Sequence, residues 1–150
     1  MTGGGGTERM ARRKLQQVRG LKVPSLPSAD VEVLSRLEFA LAAGITPDPW
    51  QELALESNAK KAMWLCCRQA GKSTTAALLA SHEAVYAHGS LTLMLAPSLR
   101  QSGELFRTCL QILKRVDVQV PDVVAESALR VELENGSRIV ALPGSESTTR

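Results

Sequence analysis

The chain is poor in aromatic side chains, with two Trp, two Phe and one Tyr among 150 residues, so its core has to be assembled from aliphatic groups. No stretch approaches the ~20 consecutive apolar residues that a membrane-spanning helix requires, and the first residues lack the apolar segment of a secretory signal. The expectation is a cytoplasmic protein with no membrane partner. Histidine is confined to His82 and His88, and neither has a second ligand at metal spacing. Both are expected on solvated helix surfaces. The three cysteines form an odd set, Cys66, Cys67 and Cys109, with no disulfide framework and no zinc spacing. They read as small buried residues in a reducing compartment.

What charge there is lies unevenly. Residues 1–22 carry six basic side chains against Glu8 alone, a net of +5 within a chain of net +3, so the remainder is −2. Such an arm suits nucleic-acid phosphate or an acidic protein surface, and suits equally a solvated segment with no partner. Gly3 to Gly6 and the later Pro24 and Pro27 make residues 1–28 a flexible basic arm by composition.

From there the chain reads as alternating elements. Asp30 to Ala43 places Val31, Leu34, Leu37 or Glu38, and Leu41 at helical steps, ending at Gly44. Asp48-Pro49-Trp50-Gln51 combines a capping residue, a proline for the first helical position and a reciprocal capping glutamine, predicting a helix to about Ser57. Lys61 to Cys67 is an apolar run expected as a strand covered on both faces. Further elements are a helix from Lys72 to about Ala87, a strand over Leu91 to Ala96, and a helix capped by Ser98 and Gln101 reaching about Val116. Strand, helix, strand, helix is the rhythm of a parallel sheet. Leu129, Val131 and Leu133 then alternate with charged residues, and Asn135-Gly136 supplies a type I′ turn signal before a second strand over Arg138 to Leu142.

The chemistry concentrates in Cys66-Cys67-Arg68-Gln69-Ala70-Gly71-Lys72-Ser73-Thr74. A strand, a tight loop ending in Gly-Lys-Ser and a helix is the order of a phosphate-binding loop. Backbone N–H groups of the loop and of the first helical turn make a positive concavity for a polyphosphate. In that arrangement Lys72 reaches the β and γ phosphates, Ser73 holds Mg²⁺ through its hydroxyl, and Gly71 provides a tight turn where a Cβ would intrude. Cys66 stands where the full pattern has a further glycine.

Hydrolysis of a bound nucleotide also needs an acidic residue on a neighbouring strand to hold Mg²⁺, and usually a second to orient water. The sequence sign is an apolar strand ending in Asp-Glu, and residues 73–150 contain none; Asp117 and Glu126 lack the preceding apolar run.

The Arg68-Gln69-Ala70-Gly71-Lys72-Ser73 loop resembles that of the large terminase subunit of tailed bacteriophages, the ATPase that packages DNA into proheads. Three further stretches agree in order: Pro47-Asp48-Pro49-Trp50-Gln51 is similar to the family's adenine-recognising segment, Leu95 to Ser102 to the segment after its second strand, and Glu134 to Ile139 with Leu142 to Ser145 to the hairpin before its acidic strand. The resemblance implies an α/β fold, a P-loop NTPase three-layer sandwich with a mainly parallel sheet, incomplete at the C-terminus, over residues 29–150. It implies ATP and Mg²⁺ as cofactors, with Gln51 at the base, Trp50 beside it as a stacking platform or a core anchor, Arg68, Gln69, Ala70, Gly71, Lys72, Ser73 and Thr74 around the phosphates, and Ser73 on the metal. Lys72 and Arg68 would be catalytic. Arg68 fits either an arginine finger supplied in cis or a ground-state phosphate contact, and Gln51 either the adenine edge or its own helix cap. Double-stranded DNA, a portal protein and a small terminase subunit are the implied partners. The family's acidic strand and nuclease domain would follow Arg150. A helicase-like ATPase and a non-catalytic remnant acting through the basic arm are the alternative readings.

Overall fold

The computed structural model describes residues 33–144, so the basic arm and the polar residues after Gly144 lie outside the described residues. The element order is α1 (Arg36–Ala42), α2 (Pro49–Glu56), α3 (Lys72–Tyr86), β1 (Leu91–Ala96), α4 (Leu99–Arg115), β2 (Val123–Ser127), β3 (Arg130–Leu133) and β4 (Arg138–Pro143).

Helix starts follow local capping chemistry. The Glu38 N–H donates to Ser35 Oγ at 3.2 Å, and the Ser35 N–H donates to Glu38 Oε2 at 2.8 Å, so α1 begins after Ser35; Asp30 to Glu32, where the expected helix starts, lie outside the described residues. Its buried face is also rotated from the expected one: Phe39, Ala40 and Ala43 are buried, whereas Leu41 is exposed. The burial of Phe39 alone is worth about 1.5–3 kcal/mol, and Ala40 and Ala43 add to it, which outweighs leaving Leu41 in water. The Arg36 guanidinium donates to the carbonyls of Leu55 and Ser57 at 3.2 and 2.7 Å, closing the C-terminal end of α2 against α1. Ser98 caps α4 by accepting from the Gln101 N–H at 3.3 Å, as its spacing predicts.

The sheet runs in the order β1-β4-β3-β2. β1 pairs parallel with β4, while β4–β3 and β3–β2 are antiparallel, so the sheet is mixed and not mainly parallel. The cause is connectivity: short turns link β2, β3 and β4 into a meander, and short links permit only antiparallel pairing. Strand β2, with every residue exposed, escaped the sequence pattern because nothing buries one of its faces.

The β3–β4 hairpin forms where expected, but through a different turn. The Gly136 N–H donates to the Leu133 carbonyl at 2.9 Å and the Leu133 N–H to the Ser137 carbonyl at 2.9 Å. Only Gly136 is left-handed, at φ +81°, so the loop is the three-residue form with a glycine bulge and not type I′. Asn135 is thereby freed to point inward, where its Nδ2 donates to the carbonyls of Ala84 and Val85 at 2.8 and 3.1 Å and stitches the hairpin to the end of α3.

Met94, Val131, Leu133, Ile139 and Ala141 face the helices and are buried, whereas Leu91, Leu93, Leu95 and Leu142 are exposed on the sheet's opposite side. The described residues therefore build two layers, a sheet and one layer of helices, in place of the expected three. The expected strand over Lys61 to Cys67 is the clearest departure. This segment joins no sheet, and Met63 and Leu65 stand 95% and 101% exposed. It is separated from the outer edge of β1 by a cleft of about 510 Å³, lined by Ala62 and Trp64 on one side, Leu93 and Leu95 on the other, and Ala76 and Leu79 of α3. A strand has no ladder to join across such a gap, so the run stays unpaired. No helix among the described residues is long and apolar enough to cross a membrane.

Candidate functional site

The Gly-Lys-Ser loop does lead directly into a helix. Gly71 is the N-cap of α3, in the left-handed region at φ +80°, and Lys72 is the first helical residue. Gln69 is the one non-glycine described residue with positive φ, at +63°. Two left-handed positions flanking Ala70 curl the backbone over the start of the helix, where the first amides lack partners within the helix itself. Thr75, fully buried, anchors the curl: its N–H and its Oγ1 both donate to the Gly71 carbonyl, at 2.9 and 3.1 Å.

Lys72 bends back across the loop. Its ammonium donates to the carbonyls of Cys66 and Cys67, at 3.2 and 2.5 Å. Lysine and the six residues before it thus form one closed loop with a cation at its centre.

Gln51 lies behind the loop and is 7% exposed. Its Oε1 accepts from the Asp48 N–H at 2.7 Å, and its Nε2 donates to the Gly71 carbonyl at 3.5 Å. A Cβ at Gly71 would collide with that Nε2. One side chain therefore satisfies both the cap of α2 and a contact with the Gly-Lys-Ser loop. Trp50 packs edge-on against Trp64, with ring centroids 5.9 Å apart, and so braces the unpaired segment that enters the loop.

Gln51, Gly71 and Lys72 are brought together; Arg68, Gln69 and Ser73 are exposed around them, with Ala70 and Thr74 half-buried. α3 is about 22 Å long and β1 about 20 Å, and a tight turn at Gly89 joins them, so β1 returns to the level of the loop at Ala96. The two strands ending there, β1 and β4, carry no carboxylate. Among the described residues no group of three or more His, Cys, Asp or Glu side chains is placed to hold a metal ion.

Two residues of the site escaped the sequence reading. Thr75 was visible only as a helix residue, although a threonine four positions after the loop glycine has the geometry to bond that glycine's carbonyl. Trp64 was visible only as part of an apolar run. Other expectations change. Cys66 is half-buried and Cys67 exposed, so only Cys109 is a buried cysteine, its thiol pushed up to about 12 by burial. His82 is half-buried and not solvated: it lies 2.8 Å from the Leu34 carbonyl through Nε2 and packs edge-on against Phe39, and burial lowers its pKa.

In comparisons with known proteins, no family model matches the chain and no curated protein matches it.

Proposed function

We propose that the loop from Cys66 to Thr74 binds the phosphates of Mg-ATP, and that the chain is the nucleotide-binding part of a terminase large subunit. In the complete motor, ATP hydrolysis would drive packaging of double-stranded DNA, with a portal protein and a small terminase subunit as partners. One observation carries the reading: a left-handed glycine caps a 15-residue helix whose first residue is the lysine of a Gly-Lys-Ser sequence. That arrangement directs first-turn amides, a helix dipole and an ammonium at one point, which is what a polyphosphate needs.

The residues take separable roles. Lys72 exchanges its two carbonyl acceptors for phosphate oxygens, Ser73 supplies a hydroxyl to Mg²⁺, and the exposed Arg68 adds positive charge beside the γ phosphate. The Mg²⁺, when bound, offsets charge on the phosphate oxygens. Gln51 reports the loop's position to α2 through Gly71 and, with Trp50, lies on the side proposed for the base. The carboxylate that would complete hydrolysis belongs on a strand at the open edge of β1, beside the cleft.

Equilibrium binding and turnover, measured separately, test this reading. The chain is expected to bind Mg-ATP and to release phosphate no faster than a Lys72→Ala control. Steady turnover above that control would refute the claim that an acidic strand is needed from elsewhere.

A further inference from the structure

We propose that Cys66 and Cys67 are a vicinal dithiol that a disulfide oxidant closes into a ring, releasing Lys72 from the loop. The two cysteines are adjacent in sequence, Cys67 exposed and Cys66 half-buried, and their own carbonyl oxygens hold the Lys72 ammonium. The carbonyls of both cysteines accept from the Lys72 ammonium, Arg68 follows directly in the chain, and Cys67 is exposed, so a disulfide oxidant can reach the pair. Cys109 is the internal contrast: fully buried, with its thiol pushed up to about 12, it is inert.

The chemistry balances with oxidised glutathione as the oxidant. The Cys67 thiolate attacks one sulfur of the glutathione disulfide, forming a mixed disulfide and expelling one glutathione thiolate. Cys66 then attacks the Cys67 sulfur and expels the second. The chain loses two hydrogens and two electrons, and oxidised glutathione becomes two reduced molecules. The Cα atoms of neighbouring residues are about 3.8 Å apart across a trans peptide, shorter than the ~4.4–6.8 Å of ordinary disulfides, so the ring is strained and easily reduced. It therefore forms only when the thiol pool is oxidised. Closing it turns the Cys66–Cys67 peptide, whose carbonyl accepts from Lys72, and with it the following peptide that carries the Cys67 carbonyl. The redox step stands on the cysteine and lysine geometry; its consequence for nucleotide rests on the binding reading above.

Three readouts on the full chain test this. Intact-mass analysis after oxidised glutathione is expected to show loss of two hydrogens, mapped to a Cys66–Cys67 link, in wild type and Cys109→Ser but not in Cys67→Ser. Phenylarsine oxide, which bridges paired thiols, is expected to bind one equivalent to the first two and none to the third. Acylation of Lys72, a nucleotide-independent readout, is expected to accelerate several-fold on oxidation and to return with dithiothreitol. Accumulation of a glutathione adduct on Cys67, a disulfide-linked dimer, or a ring that leaves Lys72 acylation unchanged would each overturn the proposal. ATP affinity is then compared: a fall of about tenfold or more on oxidation extends the switch to nucleotide. If the reduced chain binds no ATP, the nucleotide reading fails while mass and acylation still decide the redox switch.

Discussion

Replacing Gly71 with alanine strains two things at once, and the structure separates them. An L-residue held at φ +80° costs about 1–2 kcal/mol. The added Cβ also runs into Gln51 Nε2, which drives the amide away. That movement disturbs the 2.7 Å bond from the Asp48 N–H to Gln51 Oε1, worth about 1 kcal/mol. The expected loss is about 2–3 kcal/mol. Gly44 provides the control, because it has φ +72° and a Cβ added there would meet nothing within 4 Å, so Gly44→Ala pays only the backbone strain of about 1–2 kcal/mol. Urea denaturation of the two variants measures the difference. The double variant Gly71→Ala with Gln51→Ala removes the obstructing amide, and its loss should be smaller than the sum of the single losses. Equal destabilisation by Gly44→Ala and Gly71→Ala, together with strict additivity in the double variant, would refute the idea that Gln51 is packed against the loop.

Asn135→Ala should destabilise by about 2–3 kcal/mol, since it removes two donors to the carbonyls of Ala84 and Val85 and leaves those carbonyls without them; thermal denaturation reads the loss, and Asn135→Asp should not restore it. His82 makes stability depend on pH. Burial holds its pKa below the ordinary 6.5, so the unfolded chain takes up the proton first; stability is complete above about pH 6.5 and is lost as pH falls toward the lowered folded value. Denaturation midpoints measured across that window should slope less in His82→Gln than in wild type.

Local chemistry was legible where a few adjacent residues settle the outcome. Asp48-Pro49 with Gln51, Ser98 with Gln101, and Gly71 before Lys72 each marked a helix start that the structure contains. The Ser35–Glu38 box was equally local, but the apolar periodicity upstream of it concealed the true start of α1. The apolar run at Lys61 to Cys67 marks where local pattern stops informing. Its composition is that of a buried strand, but burial depends on a neighbour, and no sequence pattern within the run states whether β1's outer edge is occupied. Cys109 is buried and His88 exposed as expected, but the expectations for Cys66, Cys67 and His82 failed for the same reason: Cys67 is exposed because that segment is unpaired, and His82 is half-buried because Phe39 turned inward to meet it. The Asn135-Gly136 pair specified a hairpin correctly and its turn type wrongly, because the side chain of Asn135 bonds to α3, a tertiary contact that local turn preferences do not contain. Around the loop, the glycine before the start of α3 and the capping contact of Gln51 were legible in sequence, while the contacts of Thr75 and Trp64 became visible only through their partners across space.

The proposed function stands or falls on whether this loop holds a nucleotide's phosphates through Lys72. Titration calorimetry with Mg-ATP under reducing conditions decides it, comparing wild type with Lys72→Ala and checking both for equal fold by circular dichroism. Removing a charge-assisted contact worth about 1.5–3 kcal/mol should weaken binding about 10- to 150-fold. Wild type that binds Mg-ATP no more tightly than Lys72→Ala would show that the loop is not a phosphate site.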